Sequence, residues 1–167
     1  NLLINISGNN AGIIALDINS GKLRWSVAKE KASCASPILA VINDKPQAIF
    51  FTRDGVVSTN PMSGKINFSH PWRPAINASV NACTPVAVGN LIFVSTSYGK
   101  GATVLAVDGK KLETVWSGDD SLSCHYSSVV HHDGHLYGFH GRQEYGPALR
   151  CVELETGEVK WKRERFG

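Results

Sequence analysis

Three fixed positive charges, Arg53, Lys100 and Arg142, stand at comparable places in the chain, each just beyond an apolar, β-rich run. Cations that converge suit an anionic ligand: a guanidinium grips a carboxylate in two parallel bonds, and an ammonium acts as a point charge. A solvated loop tip is the competing reading of each. His125 and His140 are the next candidates, because an imidazole near neutral pH can donate, accept or hold a proton. Cys34, Cys83 and Cys124 recur at one repeat position. They suit a thiol cluster or a Cys34–Cys83 disulfide, or else small hydrophobes where strands crowd together. His131, His132 and His135 gather around Asp133-Gly134. Neighbouring side chains of a hairpin point to opposite faces, however, so at most two of the three converge. The chain has no C-x-x-C pair, Ser/His/Asp order, Gly-rich phosphate loop or paired-carboxylate spacing. It therefore nominates no catalytic residue and no metal ligand set.

The elements that must carry these residues follow from composition and repetition. The chain has 167 residues and a mass of 18.0 kDa, with 43% hydrophobic and 19% charged residues. That is too apolar for a disordered chain and too poor in charge for a coiled coil. A formal net charge of +3 without a dense basic stripe argues against nucleic acid. Apolar runs are short and broken by Gly, Asn and Asp, so no transmembrane segment is expected. The opening Asn1-Leu2-Leu3-Ile4 reads as the inside of a strand, without a basic leader or cleavage pattern.

Ala15–Trp25 recurs as Cys151–Trp161, ungapped, at an offset of 136 residues. Asp17 aligns with Glu153, Ser20 with Thr156, Gly21 with Gly157 and Trp25 with Trp161. Two weaker copies lie between them. In one, Asn60, Gly64 and Phe68 take the Asp, Gly and Trp places; in the other, Asp108 and Trp116 keep theirs and Leu112 replaces the Gly. The steps are 43, 48 and 45 residues. A second landmark, Ser36-Pro37-Ile38, Thr84-Pro85-Val86 and Ser127-Ser128-Val129, repeats at similar steps and opens an alternating run that ends at a turn. Each period thus holds four short strands, A to D, in a meander. The fold expected is an all-β propeller segment of about three and a half four-stranded antiparallel blades. Strands B to D of one blade fall at about 2–29, and whole blades at 36–72, 84–117 and 127–165 of one partial propeller spanning 1–167.

A short polar side chain followed by a left-handed Gly makes a tight C–D turn. The aromatic four residues beyond that Gly should fill the seam between blades, worth about 3 kcal/mol when fully buried. Phe68 is expected to fill its seam less completely, and Trp25→Ala or Trp161→Ala to cost about 3–5 kcal/mol.

The pattern A-x-D-x-x-[ST]-G-K-x-x-W, matched by Ala15, Asp17, Ser20, Gly21, Lys22 and Trp25, resembles the tryptophan-docking motif of the pyrroloquinoline-quinone (PQQ) type repeat. The fourth copy departs from it at Cys151, Glu153 and Glu158. Asp133–Phe139 and Thr156–Trp161 are similar to bacterial PQQ-like repeat proteins. That family includes quinoprotein alcohol dehydrogenases and the non-enzymatic outer-membrane assembly lipoprotein B.

The resemblance implies a ring of seven or eight blades, so that the rest of the ring lies outside this chain, and a periplasmic or otherwise exported setting. It implies ligand binding at the end that carries the D–A and B–C connections. That places Arg53, Lys100, Arg142, His125 and His140 as cofactor- or ligand-binding candidates. The leading expectation is a non-catalytic extracytoplasmic scaffold binding a protein or small ligand. The alternative is an arc of a PQQ- and calcium-dependent alcohol dehydrogenase, for which Asp54 and Glu144 are the B–C loop carboxylates available as base. Such a dehydrogenase would also carry adjacent cysteines beside its cofactor, which this chain lacks.

Overall fold

A computed structural model describes residues 1–7, 12–27 and 29–165. These form four antiparallel sheets, each a meander in chain order. The first holds β1 (Leu2–Asn5), β2 (Ile13–Leu16) and β3 (Leu23–Val27). The second holds β4 (Ile38–Ile42), β5 (Lys45–Phe51), β6 (Gly55–Thr59) and β7 (Ile66–Pro71). The third holds β8 (Val86–Val88), β9 (Leu91–Thr96), β10 (Gly101–Asp108) and β11 (Lys111–Gly118). The fourth holds β12 (Val130–His132), β13 (His135–His140), β14 (Ala148–Glu153) and β15 (Val159–Arg163). A single 3-10 turn, Gln143–Tyr145, is the helical element among the described residues. The architecture is the all-β set of propeller blades that the repeat predicts.

The turns form for local reasons. Asn43-Asp44 and Asp133-Gly134 join their strands as two-residue hairpins, with φ of 50° and 58° and of 46° and 72°. Left-handed backbone at both positions matches the twist of the flanking strands. Between β2 and β3, the Asp17 carboxylate accepts the backbone N–H groups of Asn19 and Ser20 at 3.1 and 2.8 Å, and Gly21 follows at φ +67°. Asn60 does the same for Met62 and Ser63, both at 2.9 Å, ahead of Gly64. The third sheet departs from the expected alignment. Trp116 pairs with Val104, as Trp25 pairs with Ala15, so Ala106 and not Asp108 holds the register place of Asp17. The β10–β11 hairpin runs two residues further before it turns at Gly109-Lys110.

One feature shared by all four sheets is absent from the sequence pattern. The pairing of the last two strands shifts by one residue at Ala15/Leu16, Ser58/Thr59, Val104/Leu105 and Cys151/Val152. The extra residue on the outer strand, Arg24, Asn67, Val115 or Lys160, always precedes the aromatic. A bulge bends and twists its strand, so each one re-aims the aromatic that follows it.

Alternate side chains of the central strands point to opposite faces, and here both faces are buried. Ala48 and Phe50 pack with Ile13, Leu3 and Trp25 of the first sheet. Ile49 and Phe51 pack with Ile92 and Val94 of the third. Phe93 and Val104 pack with Leu136 and Val152 of the fourth. The core is therefore a row of three seams between sheets.

Two of the seams share a lock. A methyl group placed on Gly64 would lie 2.6 Å from the Trp25 ring, and one on Gly157 would lie 2.7 Å from the Trp116 ring. Each tryptophan thus lies flush against the turn glycine of the following sheet. Trp116 Nε1–H also donates to the Leu154 carbonyl at 2.7 Å. In the middle seam Phe68 holds the place of the tryptophan. It is buried in the largest core cluster, where Val107 and Leu112 fill the space a larger ring would need. Trp161 is 42% exposed and touches Tyr137 within its own sheet.

Candidate functional site

The connections from β11 to β12 and from β13 to β14 meet at one end of the seam between the third and fourth sheets. The first of them crosses from an outer strand back to an inner one, and polar side chains fasten its path. Ser95 Oγ donates to the Leu122 carbonyl at 2.6 Å and accepts the Cys124 N–H at 2.8 Å. The Gly141 N–H donates to the Ser123 carbonyl at 2.8 Å, beside a parallel bridge between Cys124 and Gly141. Ser123 Oγ donates to Asp119 at 2.7 Å. This stitching places His125 over the seam with 1% of its surface exposed.

Around His125 stand groups from three loops. Its Nε2 lies 2.8 Å from the Tyr98 hydroxyl, and its Nδ1 lies 3.6 Å from Glu144 Oε2. Nδ1 makes no hydrogen bond among the described residues, and the tautomer sets which of Nε2 and the Tyr98 hydroxyl donates. Burial holds the imidazole below its ordinary pKa of 6.5; Glu144 pulls it up and Arg142 pushes it down, and burial wins. Burial also raises the Tyr98 phenol, helped by the neighbouring Tyr126 hydroxyl. Glu144 is held low by its own backbone N–H and by Arg142, whose Nη2 lies 2.9 Å away. The Arg142 guanidinium also sits 5.1 Å from the Tyr98 ring centre and 5.6 Å from that of Tyr145. Tyr126 lies against His125 with ring centres 3.8 Å apart. Tyr98 is held at φ +68° ahead of Gly99 at +74°, a backbone region costly for a bulky residue and found at sites that over-determine it.

His140 adjoins this cluster. Its Nδ1 accepts the Ser123 N–H at 3.1 Å, and burial, then the Arg150 charge, lowers its pKa. A shallow cleft of about 210 Å³ opens between the loops, lined by Tyr98, Asp119, Ser123, His140 and Arg142. Of the five residues nominated from the sequence, the fold therefore gathers His125, His140 and Arg142.

Arg53 and Lys100 do not join them. Arg53 donates to the Asn77 carbonyl, in a loop that also holds the Asp54–Arg73 ion pair at 3.1 Å and the buried Asn81 amide bridging the Thr52 and Trp72 carbonyls. Lys100 Nζ lies 4.0 Å above the Trp72 ring. Each of the three cations thus has its own partner: the Asn77 carbonyl for Arg53, the Trp72 ring for Lys100 and Glu144 for Arg142. Tyr98, Glu144 and Tyr145 complete the cluster. Their place on strand-end loops was readable from the repeat, but their convergence depends on loop paths that spacing does not encode.

The cysteines are all free, and Cys83 meets Cys124 rather than Cys34. Both lie buried in the apolar seam, where the Cys83 neighbour and then burial raise the Cys124 thiol well above its ordinary value. His131, His132 and His135 stand on the β12–β13 hairpin, with His135 Nδ1 2.6 Å from the Asp133 carbonyl. Among the described residues, no three His, Cys, Asp or Glu side chains are grouped to hold a metal ion. Asp54 and Glu144 each face an arginine in separate loops.

Interlocked four-stranded meanders with a polar loop face define the class as a β-propeller arc. More narrowly, the chain belongs to the outer membrane protein assembly factor BamB family, whose model matches residues 1–163. Among solved structures it is similar to BamB from Moraxella catarrhalis. The identity is 20% and the TM-score 0.65, over 95% of this chain and 46% of that one. It is also similar to a europium-containing methanol dehydrogenase, at 15% identity and TM-score 0.60 over 92% and 40%. The chain thus spans less than half the length of either structure. No curated protein matches it. No helix among the described residues is long and apolar enough to cross a membrane.

Proposed function

We propose that the chain is an arc of a non-catalytic, extracytoplasmic propeller that binds a protein partner through the loop face over the third and fourth sheets. The observation that carries this reading is the surface beside His125. Tyr145 and Tyr126 are 80% and 51% exposed and flank Arg142, whose charge is already balanced by Glu144. Tyrosine and arginine on a rigid base are the residues that dominate protein interfaces, because they bring large contact area at small conformational cost. Family membership supports a protein ligand over a small anionic one. The same reading sets the arc within a ring of seven or eight blades working in the periplasm or another exported compartment.

The test has two parts on the full-length protein from its native source. A photo-crosslinking residue at Tyr145 should give a defined adduct that one at Met62, an exposed residue in the β6–β7 turn, does not. Mass spectrometry of the denatured protein should release no quinone. Stoichiometric PQQ would overturn the proposal in favour of a dehydrogenase, and equal crosslinking at both positions would overturn the choice of face.

A further inference from the structure

The end of the sheets opposite the loop face has a cleft of its own. It encloses about 400 Å³ between the second and third sheets, where the β4–β5, β6–β7 and β10–β11 turns meet. Each turn brings one lysine to the lining: Lys45, Lys65 and Lys110. Lys110 reaches it because the β10–β11 hairpin runs two residues further than its counterpart in the first sheet. The Asn43 amide donates to the Val107 carbonyl at 3.2 Å and holds that hairpin against the β4–β5 turn. All three lysines are exposed, and none makes an ion pair among the described residues. No carboxylate lines the cleft, since Asp44 and Asp108 stay outside it.

The wall of the cleft has a donor to spare. Gln47 is 5% exposed, and its Oε1 accepts from Ser58 Oγ and from Asn67 Nδ2. Its Nε2 carries two N–H groups but meets one acceptor, the Ile42 carbonyl at 3.4 Å. A buried donor left without a partner is costly, so a ligand that accepts a hydrogen bond there is favoured. The adjoining seam shows that this charge is not a by-product of the architecture. At the same end, between the third and fourth sheets, lies a cleft of about 420 Å³ whose lining holds Glu153 and Glu155 and no lysine.

We infer that the cleft between the second and third sheets binds an acidic segment of a partner protein, its carboxylates on Lys45, Lys65 and Lys110 and its apolar side chains against Pro46 and Ile66. Charge complementarity selects this occupant: three unpaired cations and a spare amide N–H around one space suit several negative charges. Lysine is a point charge without the fork that grips one compact anion. Three lysines from separate turns therefore suit charges spread along a chain. Pro46 and the 43% exposed Ile66 add an apolar wall that a free phosphate would leave unused. The site lies at the other end of the sheets from Arg142 and Tyr145, so it does not depend on what the loop face binds.

Fluorescence anisotropy on the full-length protein tests it, with a labelled short peptide of glutamate and leucine as the probe and its glutamine-for-glutamate counterpart as the control. The acidic peptide should bind, more weakly as salt rises, and the neutral one should not. Lys45→Gln, Lys65→Gln and Lys110→Gln together should weaken binding by about tenfold or more. The same charge removed at the exposed Lys22, Lys29 and Lys31 should weaken it by less than about threefold, through the long-range field alone. Zero-length carbodiimide coupling and peptide mapping should join the probe to Lys45, Lys65 or Lys110. Equal losses in the two triple variants, or adducts spread evenly over the exposed lysines, overturn the site. An acidic peptide that does not bind overturns the inference, and displacement of the bound peptide by equimolar inorganic phosphate overturns the extended ligand.

Discussion

The seam between the third and fourth sheets and the two outer faces of the arc contain the same parts in different states. In the inner seam Trp116 lies flush on Gly157, its indole N–H is bonded to Leu154, and the loops above it are stitched through Ser95, Ser123 and Gly141. At the outer faces Trp161 is exposed and the Gly21 seat is open. The same residue type at the same repeat position is thus packed in one place and exposed in the other. What separates them is whether a following sheet presents a glycine, not anything in the local sequence of the aromatic. The first sheet carries a related sign. Leu39 and Val41 lie on the face of β4 that continues Ala48 toward the first sheet, and they are 70% and 67% exposed.

This comparison can be broken by substitution, read as urea unfolding. The largest contrast is Trp116→Ala against Trp161→Ala. The first should cost about 3–5 kcal/mol, from lost burial and the cavity left behind, and the second less than about 1 kcal/mol, as at other surface positions. Equal losses would mean that the seat has no energetic role. Next comes Gly157→Ala against Gly21→Ala. Both incur about 1–2 kcal/mol for a left-handed side chain, but only Gly157 adds about 1–3 kcal/mol for forcing a methyl group into the Trp116 ring. A common midpoint for the two variants would contradict the flush contact.

A finer contrast lies between the two seated tryptophans. Trp116 Nε1–H has a carbonyl acceptor, whereas Trp25 Nε1 is buried without one. Trp116→Phe should therefore cost about 1 kcal/mol more than Trp25→Phe, the net worth of a typical hydrogen bond.

The smallest effect is pH-dependent and belongs to the loop end of the inner seam. His125 and His140 have folded pKa values below the ordinary 6.5, so the unfolded chain binds more protons than the folded one as pH falls through that value. Stability should then decrease on acidification below about pH 6.5 and level off once the folded imidazoles also protonate. His125→Asn together with His140→Asn should flatten that slope, and an unchanged slope would assign it to other groups.

Much of the frame was legible because it is local. Asp17, Gly21 and Trp25 define a turn and an aromatic within eleven residues, and their recurrence marks the sheets. The β10–β11 hairpin was not legible, since Asp108 and Trp116 keep their eight-residue separation while a two-residue extension and a bulge change the register between them. The repeat placed Arg53, Lys100, Arg142, His125 and His140 on one end of the arc. Which of them meet was decided by long-range contacts: Asn77 takes Arg53, Trp72 takes Lys100, and Glu144 holds Arg142 beside His125. Of the readings open for the cysteines, burial as small hydrophobes holds for Cys83 and Cys124, which the β11–β12 connection brings together.

The seat-and-ring account is tested most directly by hydrogen exchange of the tryptophan indole N–H groups, followed by NMR. Trp116 should exchange slowest of the seam tryptophans, protected by the Leu154 carbonyl and the Gly157 contact, and Trp161 fastest. Exchange of Trp116 as fast as that of Trp161 would contradict the claim that the sheets are locked through these rings.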